Sequence, residues 1–439
     1  MHSYYYRYDR MIVKRRCMAA QTMERRTRMK RLAFLVLALM VVGGLLFAAG
    51  GAQGSGAGKK ITFYYWDEYQ KPGMDNAATA YTRQSGVQVE QTITPWAQYW
   101  TRLQTALPSD TGPDVFWINL SHAIDYYPAG LVQEISTYIQ RDKIDMSKFP
   151  KSLVDMYSYN GKSYGIPKDY DTIALFYNKA LFDAKGVPYP TDSWTWVDLR
   201  RAAERLTDSN VHGFIAGPDT QTMLDSWILS NNGTLMNKDR SLMQYNTPET
   251  IEAVREALRY SQDGLSPTAA SLLELDQDTR FMGGLAAMCT SGSWMVPTYF
   301  EALGAKLGVA RFPIAKKPAN VIHGLSFNIS ARSKVKEEAW GLLKVFTTRE
   351  AGEAQAKIVI PAYEGASDVW MRNFPSLNLK VFIDAAAIAE LVPGASKAAA
   401  AQDDIVVTQL QNIYIGGMDV ATALANIDRE CAAAAAAAR

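Results

Sequence analysis

Cysteine and histidine are scarce in this chain, which contains three cysteines and four histidines among its 439 residues. Cys17 lies in a basic N-terminal segment, and the other two, Cys289 and Cys431, are far apart in the sequence. Such a chain cannot form the disulfide framework of a small secreted domain. The sequence also has no HExxH, no GxSxG and no cysteine pair with metal-binding spacing. We therefore expect a hydrophobic core to stabilise the protein, and we predict no catalytic residues, no metal and no cofactor.

Excess positive charge is absent from most of the chain. The formal net charge is +2, but residues 1–31 hold ten Lys or Arg and two Asp or Glu, a net of +8, so the remainder carries −6. An acidic body is a poor match for nucleic acid, which we exclude as a partner. Charged residues make up 21% and aromatic residues 11%, as in globular proteins, and the length predicts two domains.

An apolar run from Leu32 to Ala49 follows the basic segment, and small residues follow the run. This order indicates a secretory signal peptide cut after Ala52, so residues 1–52 are predicted to be an N-terminal extension and signal peptide. We expect the protein in the periplasm or on the extracellular side of the cytoplasmic membrane. An uncleaved anchor is the alternative, because a run of this length can span a bilayer. The sequence leaves open whether translation begins at Met1 or at Met29, and no cysteine follows the run to carry a lipid.

Strand-like and helix-like segments alternate after the N-terminal segment. Three segments have the patterns typical of strands: residues 61–66, 87–93 and 113–119. Helical spacing between them predicts a parallel sheet covered by helices, and such sheets bind ligands at the carboxyl ends of their strands. Those ends carry Trp66, Asp67 and Asn119.

The sequence YGIPKDYDTIALFYNK (164–179) places charges directly before an apolar segment. Gly165-Ile166-Pro167 is typical of a turn, whereas residues 172–177 are typical of a buried strand. Buried strands rarely begin with charged residues, so Lys168, Asp169 and Asp171 need an explanation other than core packing.

Several tryptophans follow short strand-like runs and have polar neighbours. Trp66 precedes Asp67, and Trp294 follows Gly292-Ser293. Each single tryptophan is compatible with core packing. Taken together, flat aromatic faces beside carboxylates and amides suit a neutral, polyhydroxylated ligand, because sugar C–H faces stack on rings and carboxylates accept hydrogen bonds from hydroxyls.

Three blocks of the sequence resemble the family 1 extracellular solute-binding proteins of carbohydrate ABC transporters, of the maltose-binding-protein type. They are NGKSYGIPKDYDTIALFYNKALFDAKGVPYPTDSWTWVDLRRAAERLT (160–207), RFMGGLAAMCTSGSW (280–294) and GLSFNISARSKVKEEAWGLLKVFTT (324–348). The blocks occur in the family's order, and the resemblance covers nearly the whole exported sequence.

The resemblance implies an α/β, periplasmic-binding-protein-like type II fold, with two lobes joined by crossing strands around a ligand cleft. It places residues 59–169 and about 325–370 in an N-terminal lobe, and residues 172–322 and about 371–439 in a C-terminal lobe. The implied partners are a mono- or oligosaccharide and the permease subunits of the transporter, and we expect a monomer. The sequence does not specify which sugar or which permease.

The resemblance also implies ligand-binding residues. By analogy with the family, Trp294 stacks on the sugar, Asn119 is a polar cleft residue, and Asp171 is a cleft carboxylate at the first crossing between lobes. Trp66 and Asp67 lie where the first strand meets the cleft. Trp227, in SWILSNNG, matches a family tryptophan that either contacts the ligand or packs in the core. Lys168 and Asp169 are then expected to be solvated charges at the hinge.

The resulting hypothesis is an exported sugar-binding component of an ABC transporter, not an enzyme. A secreted carbohydrate-active enzyme is the first alternative, since Asp169 and Asp171 could form a carboxylate pair, although nothing else in the sequence supports hydrolysis. A membrane-tethered glycan-binding receptor is the second alternative, which an uncleaved N-terminus would favour.

Overall fold

A computed structural model describes residues 59–238, 240–391 and 398–438. The predicted signal peptide, residues 1–52, lies outside these residues, and so does its predicted cleavage site. Among the described residues, no helix combines the length and the apolarity needed to cross a membrane.

The strands are short and unevenly distributed along the chain. They are β1 (Lys60–Tyr65), β2 (Gln88–Ile93), β3 (Val115–Asn119), β4 (Ser158–Tyr159), β5 (Lys162–Ser163), β6 (Gly165–Asp171), β7 (Ile173–Asn178), β8 (Met288–Gly292), β9 (Leu307–Arg311), β10 (Asn320–Ile329), β11 (Ile360–Pro361) and β12 (Ala389–Leu391).

The helices occupy most of the remaining described residues. They are α1 (Lys71–Ser85), α2 (Trp96–Ala106), α3 (Leu120–Tyr126), α4 (Ser136–Arg141), α5 (Lys151–Met156), α6 (Lys179–Lys185), α7 (Trp196–Leu206), α8 (Asp225–Ser230), α9 (Pro248–Gln262), α10 (Ala269–Glu274), α11 (Gln277–Met282), α12 (Val296–Leu303), α13 (Lys336–Val345), α14 (Arg349–Gln355), α15 (Ser367–Asn373), α16 (Lys380–Ala386), α17 (Ala399–Tyr414) and α18 (Val420–Ala437).

The larger sheet has the strand order β11-β6-β10-β3-β1-β2, with β12 paired to β10. The first three strands fall within one or two residues of their predicted positions, and β1 is parallel to β2 and β3 as expected. The sheet is nevertheless mixed, because β10 runs antiparallel to both β3 and β6. Its core is aromatic: Phe63, Trp117 and Phe327 are fully buried, and Phe327 stacks on Phe346 with ring centroids 3.7 Å apart.

The predicted turn at Gly165-Ile166-Pro167 is wrong, because these residues belong to β6. Proline has no N–H to donate to a ladder, so it is tolerated only where strand pairing is interrupted. Pro167 meets this condition: it lies opposite Ser326, next to a register shift between Leu325 and Ser326. The strand on the other side, β11, pairs only with Asp169 and Tyr170.

The smaller sheet has the order β8-β7-β9, and a single residue, Thr172, separates its central strand from β6. This junction is held by buried hydrogen bonds. The side chain of Asn320 accepts from the backbone N–H of Ile173 at 2.8 Å and donates to its carbonyl at 2.7 Å, and the Thr172 hydroxyl donates to the carbonyl of Phe382 at 2.8 Å. The chain therefore passes directly from one sheet to the other, while the predicted lobe boundaries stay a prediction.

Local sequence signals fix several element ends. Asn160 and Gly161 both have positive φ and join β4 to β5, as a two-residue hairpin turn requires. Thr247 caps α9, with Pro248 in its first turn. Thr195 caps α7 and forms a reciprocal capping box with Asp198, which lies three positions after it.

Candidate functional site

A cavity of about 740 Å³ opens at the carboxyl ends of β1 and β3. Five of the six residues predicted to bind ligand line this cavity: Trp66, Asp67, Asn119, Asp171 and Trp294. They lie in strands of the larger sheet or just after strands of both sheets, so the fold brings together residues that are more than two hundred positions apart in sequence.

The end of β1 contributes an aromatic wall. Trp66 is half-buried and meets Trp96 edge to face, with ring centroids 5.1 Å apart. Trp96, the first residue of α2, lines the cavity and remains 49% exposed. A large indole that is half exposed at a concave surface is available for stacking on a ligand.

The carboxylate of Asp67 forms hydrogen bonds within its own segment of the chain. One of its carboxylate oxygens accepts from the backbone N–H of Tyr69 at 2.9 Å, and the other accepts from Nε2 of Gln70 at 2.7 Å. The bond from Tyr69 caps the short 3₁₀ turn that follows β1. Asp67 therefore shapes this edge of the cavity, and its carboxylate has less free capacity for a ligand than the sequence suggested.

The end of β3 contributes Asn119 and a residue that the sequence analysis missed, His122. Asn119 Oδ1 accepts from the backbone N–H of His122 at 3.3 Å and lies 2.8 Å from its Nδ1. The imidazole stacks on Trp100 with centroids 3.5 Å apart and planes 8° apart. Burial lowers the pKa of His122 to about 4. A signal was present in the sequence, since His122 lies three residues after a capping asparagine at a strand end.

The junction between the sheets contributes Asp171 and His323, which both line the cavity. The two residues are direct partners across β6 and β10. His323 also went unrecognised, because its partner lies 152 residues earlier and no local pattern connects them.

The prediction that Lys168 and Asp169 are solvated charges is wrong. Lys168 is 1% and Asp169 5% exposed. The Lys168 ammonium donates to the carboxylate of Asp169 and to Oε1 of Gln70, and it lies 4.2 Å from the centre of a Trp117 ring. Burial raises the pKa of Asp169, and the neighbouring ammonium opposes that rise. A charged group tolerates such burial only when it is paired in this way.

Trp294 occupies the turn that follows β8, and its ring lies against Gly292. A Cβ added at Gly292 would lie 1.7 Å from the Trp294 ring, so glycine is required for this close approach. The ring is half-buried and lines the cavity.

Trp227 does not line the cavity. It is fully buried, its Nε1 donates to the carbonyl of Ala253 at 3.0 Å, and it stacks on Trp196 with centroids 3.8 Å apart. Of the two roles considered for Trp227, the structure therefore shows core packing, and the predicted ligand contact is wrong.

Further carboxylates line the cavity without having been predicted. Asp225, at the start of α8, is 3% exposed, and burial raises the pKa of its carboxyl group. Asp278 accepts a hydrogen bond from the Tyr299 hydroxyl, and burial raises the pKa of Asp278 as well. Within the described ranges, no lysine or arginine lines the cavity and no group of three metal-binding side chains occurs.

A family model described as bacterial extracellular solute-binding protein matches residues 76–372. The chain belongs to this family. The matched span contains Asn119, Asp171 and Trp294, so most of the residues that line the cavity of this solute-binding protein fall inside it.

Named relatives agree with this assignment. The galactooligosaccharide-binding protein of Bacillus subtilis is 26% identical over 315 residues, which cover 68% of this solute-binding protein and 71% of the relative. An ABC substrate-binding protein from Listeria monocytogenes, solved in complex with cycloalternan, is 25% identical with a TM-score of 0.79, covering 85% of this chain and 98% of that one.

A third likeness concerns the fold alone. A solute-binding protein from Thermotoga lettingae, bound with α-D-tagatose, has a TM-score of 0.77 at 20% identity and covers 85% of this chain and 99% of that one. The predicted type II periplasmic-binding-protein-like α/β fold is confirmed. The predicted family is confirmed too, and its members are binding proteins rather than enzymes.

Proposed function

We propose that this solute-binding protein captures a neutral mono- or oligosaccharide in the cavity and delivers it to the permease of an ABC transporter. One observation carries the proposal. Half-exposed indoles at Trp66, Trp96 and Trp294 share one cavity with the polar side chains of Asn119 and Asp171. Rings stack on the apolar faces of a sugar while amides and carboxylates bind its hydroxyls, so a sugar uses both kinds of group at once.

The charge of the lining favours an uncharged ligand over an anionic one. The cavity contains carboxyl groups from several elements, and within the described ranges no Lys or Arg lines it. The Lys168 ammonium, which lies behind Asp169, is buried and bonded to that carboxylate and to Gln70. A sugar acid or sugar phosphate would find no cationic partner among these residues, and such partners are the usual means of binding anions. The relatives described above, named for galactooligosaccharide binding or solved with cycloalternan, supply the carbohydrate context.

Capture is proposed to involve closure of two lobes, residues 59–169 with about 325–370 and residues 172–322 with about 371–439. The junction at Thr172 is the shortest connection between the two sheets and would serve as part of the hinge. A sugar that contacts Trp66 on one side and Trp294 on the other binds the closed state better, and its binding energy therefore favours closure. The proposed export route removes residues 1–52, and the mature protein acts as a monomer outside the cytoplasmic membrane.

Calorimetric titration of the purified exported protein tests the function. The panel comprises maltotriose, galactobiose, tagatose and, as the anionic comparison, galacturonic acid. A disaccharide of about 23 heavy atoms, at roughly 0.3–0.4 kcal/mol per atom, should bind with a dissociation constant near micromolar. At least one neutral sugar should bind and galacturonic acid should not. No binding by any neutral sugar of the panel would count against the proposal, and chromatographic detection of a new product would support an enzyme instead.

A further inference from the structure

The amide of Asn119 fixes the tautomer of His122. Asn119 caps α3, and its Oδ1 accepts from the backbone N–H of His122 at 3.3 Å. A backbone N–H can only donate, so the atom that faces it is the amide oxygen and not the amide nitrogen. The same oxygen lies 2.8 Å from Nδ1 of His122. Two lone pairs would repel at this distance, so Nδ1 carries a hydrogen.

The surroundings of the ring keep it neutral. The imidazole lies flat on the indole of Trp100, and the phenol ring of Tyr126, from the same helix, meets it edge-on with centroids 6.2 Å apart. Its hydrogen-bond partner, the amide of Asn119, is also uncharged. Burial alone accounts for the lowered pKa of His122, with no contribution from a neighbouring charge. A neutral ring with its hydrogen on Nδ1 has a lone pair on Nε2.

Nε2 of His122 has no hydrogen-bond partner among the described residues. It forms no hydrogen bond with the described part of the chain, it is not among the polar atoms sealed from solvent, and His122 lines the cavity. The amide Nδ2 of Asn119 is likewise unbonded to described residues and belongs to the same lining. An unpaired acceptor and a neighbouring unpaired donor thus belong to two adjacent residues that both line the cavity.

We infer that Nε2 of His122 is a permanent hydrogen-bond acceptor for a sugar hydroxyl, with Nδ2 of Asn119 donating to an adjacent oxygen of the same sugar. This assignment rests on the proposed function, and it names His122 as a specificity-determining residue. The pair selects ligands that can donate at one atom and accept at the next, as neighbouring hydroxyls do. A carboxylate oxygen facing Nε2 would meet a lone pair, so the pair also disfavours sugar acids.

The tautomer is measurable without any ligand. The exported protein, labelled with ¹⁵N at histidine, is examined by long-range ¹H–¹⁵N correlation, with the signals assigned through H212Q, H323Q and H122Q variants. We expect the His122 ring to show a protonated Nδ1 and an unprotonated Nε2 from pH 8 down to about 5. A protonated Nε2, a mixture of tautomers or a titration near pH 6.5 would overturn the inference.

Two substitutions separate the two ring nitrogens. In His122→Asn the side-chain amide can replace Nδ1 and keep the bond to Asn119, but no atom remains at the Nε2 position. In His122→Gln the longer side chain places an acceptor near the Nε2 position and loses the Nδ1 bond. For the neutral sugar of the panel that binds the wild type most tightly, we expect H122N to weaken binding about tenfold and H122Q no more than about threefold.

The outcomes distinguish this inference from the proposed function. Wild-type affinity in H122N, or equal losses in both variants at unchanged melting temperatures, would reject the acceptor role while leaving sugar binding intact. If maltotriose, galactobiose and tagatose all fail to bind the wild type, the proposed function fails and the acceptor role fails with it, whatever the tautomer. Melting curves of both variants establish that a loss of affinity is not a loss of folding.

Discussion

His323 Nδ1 lies 2.9 Å from Asp171 Oδ1, and the two residues are direct partners on the antiparallel strands β10 and β6. Their side chains are 14% and 18% exposed, at the point where the chain leaves the larger sheet. A carboxylate has room for about four hydrogen bonds, so a single bond from His323 orients the group and leaves its second oxygen for a ligand.

We predict that Asp171→Asn weakens sugar binding by about 1.5–3 kcal/mol, the scale of a hydrogen bond to a charged group. The melting temperature of the ligand-free protein should change little, since Asp171 faces the cavity and not the core. Calorimetry and thermal melting on the same variant measure the two effects. His323→Gln, which can still donate to Asp171, is the matched control and should lose less affinity. Early melting with normal sugar affinity would assign Asp171 to structure.

Trp294 and Trp227 provide a second comparison. Trp294→Ala removes a half-buried ring from the cavity wall and should weaken sugar binding by about 1–3 kcal/mol with a modest effect on stability. Trp227→Ala removes a fully buried ring and should lower the free energy of unfolding by about 3–5 kcal/mol, with near-normal affinity in the folded fraction. Urea unfolding and titration of both variants check this. Unchanged affinity in Trp294→Ala would show that this ring does not contact the sugar.

Substitution of Gly292 should weaken sugar binding as much as substitution of Trp294, although Gly292 has no side chain to contact a sugar. A methyl group at this position would lie 1.7 Å from the Trp294 ring, so Gly292→Ala must displace the ring. We expect an affinity loss close to that of Trp294→Ala, and little additional loss in the double variant, because both changes act through one contact. Additive losses would show that the ring is not the common cause.

The positions of Trp66, Asn119 and the cavity were accessible from sequence because the carboxyl ends of parallel strands converge on one edge of a sheet. Strand positions suffice for this prediction, and hydrophobic patterns provide them. Two tryptophans that follow serine, Trp227 and Trp294, show the limit of such a prediction. Their local sequences do not differ in any way that predicts which ring packs in the core and which faces the cavity.

Partners distant in sequence account for the wrong prediction at Lys168. Gln70 lies 98 residues before it, and Trp117 approaches from a different strand. No local pattern shows that an ammonium group in a strand will meet an amide, a carboxylate and an indole face. His323 was missed for the same reason, because pairing across β6 and β10 is a property of the folded sheet.

The Lys168–Asp169 pair should be strongly interdependent. Lys168→Met removes the ammonium and leaves a 5% exposed carboxylate without its partner, which should cost about 3–5 kcal/mol of unfolding free energy. The double variant Lys168→Met/Asp169→Asn should regain much of this loss, since no charge is then buried. Urea unfolding of the two single variants and the double variant gives the coupling energy. A stability cost for Lys168→Met below about 1 kcal/mol would contradict the burial.

The lowered pKa of His122 predicts a specific dependence of stability on pH. In the unfolded chain a histidine gains its proton near pH 6.5, whereas in the folded protein His122 gains it only near pH 4. Between these values the unfolded state binds more protons, so the free energy of unfolding rises with pH. The contribution of His122 to that free energy is therefore lost as the pH falls from 6.5 to 4. At about 1.4 kcal/mol for each unit, the full loss is about 3 kcal/mol.

His122→Gln should remove this part of the acid sensitivity. The pKa of His212 is also lowered by burial, but that residue is present in both proteins and its contribution cancels in the comparison. Urea unfolding of the wild type and of H122Q at intervals from pH 7 to pH 4.5 therefore isolates His122. The stability difference between the two proteins should shrink or reverse as the pH falls, because the wild type alone carries the neutral, buried imidazole. A constant difference across this range would mean that His122 titrates alike in the folded and unfolded states, contrary to its stacking on Trp100.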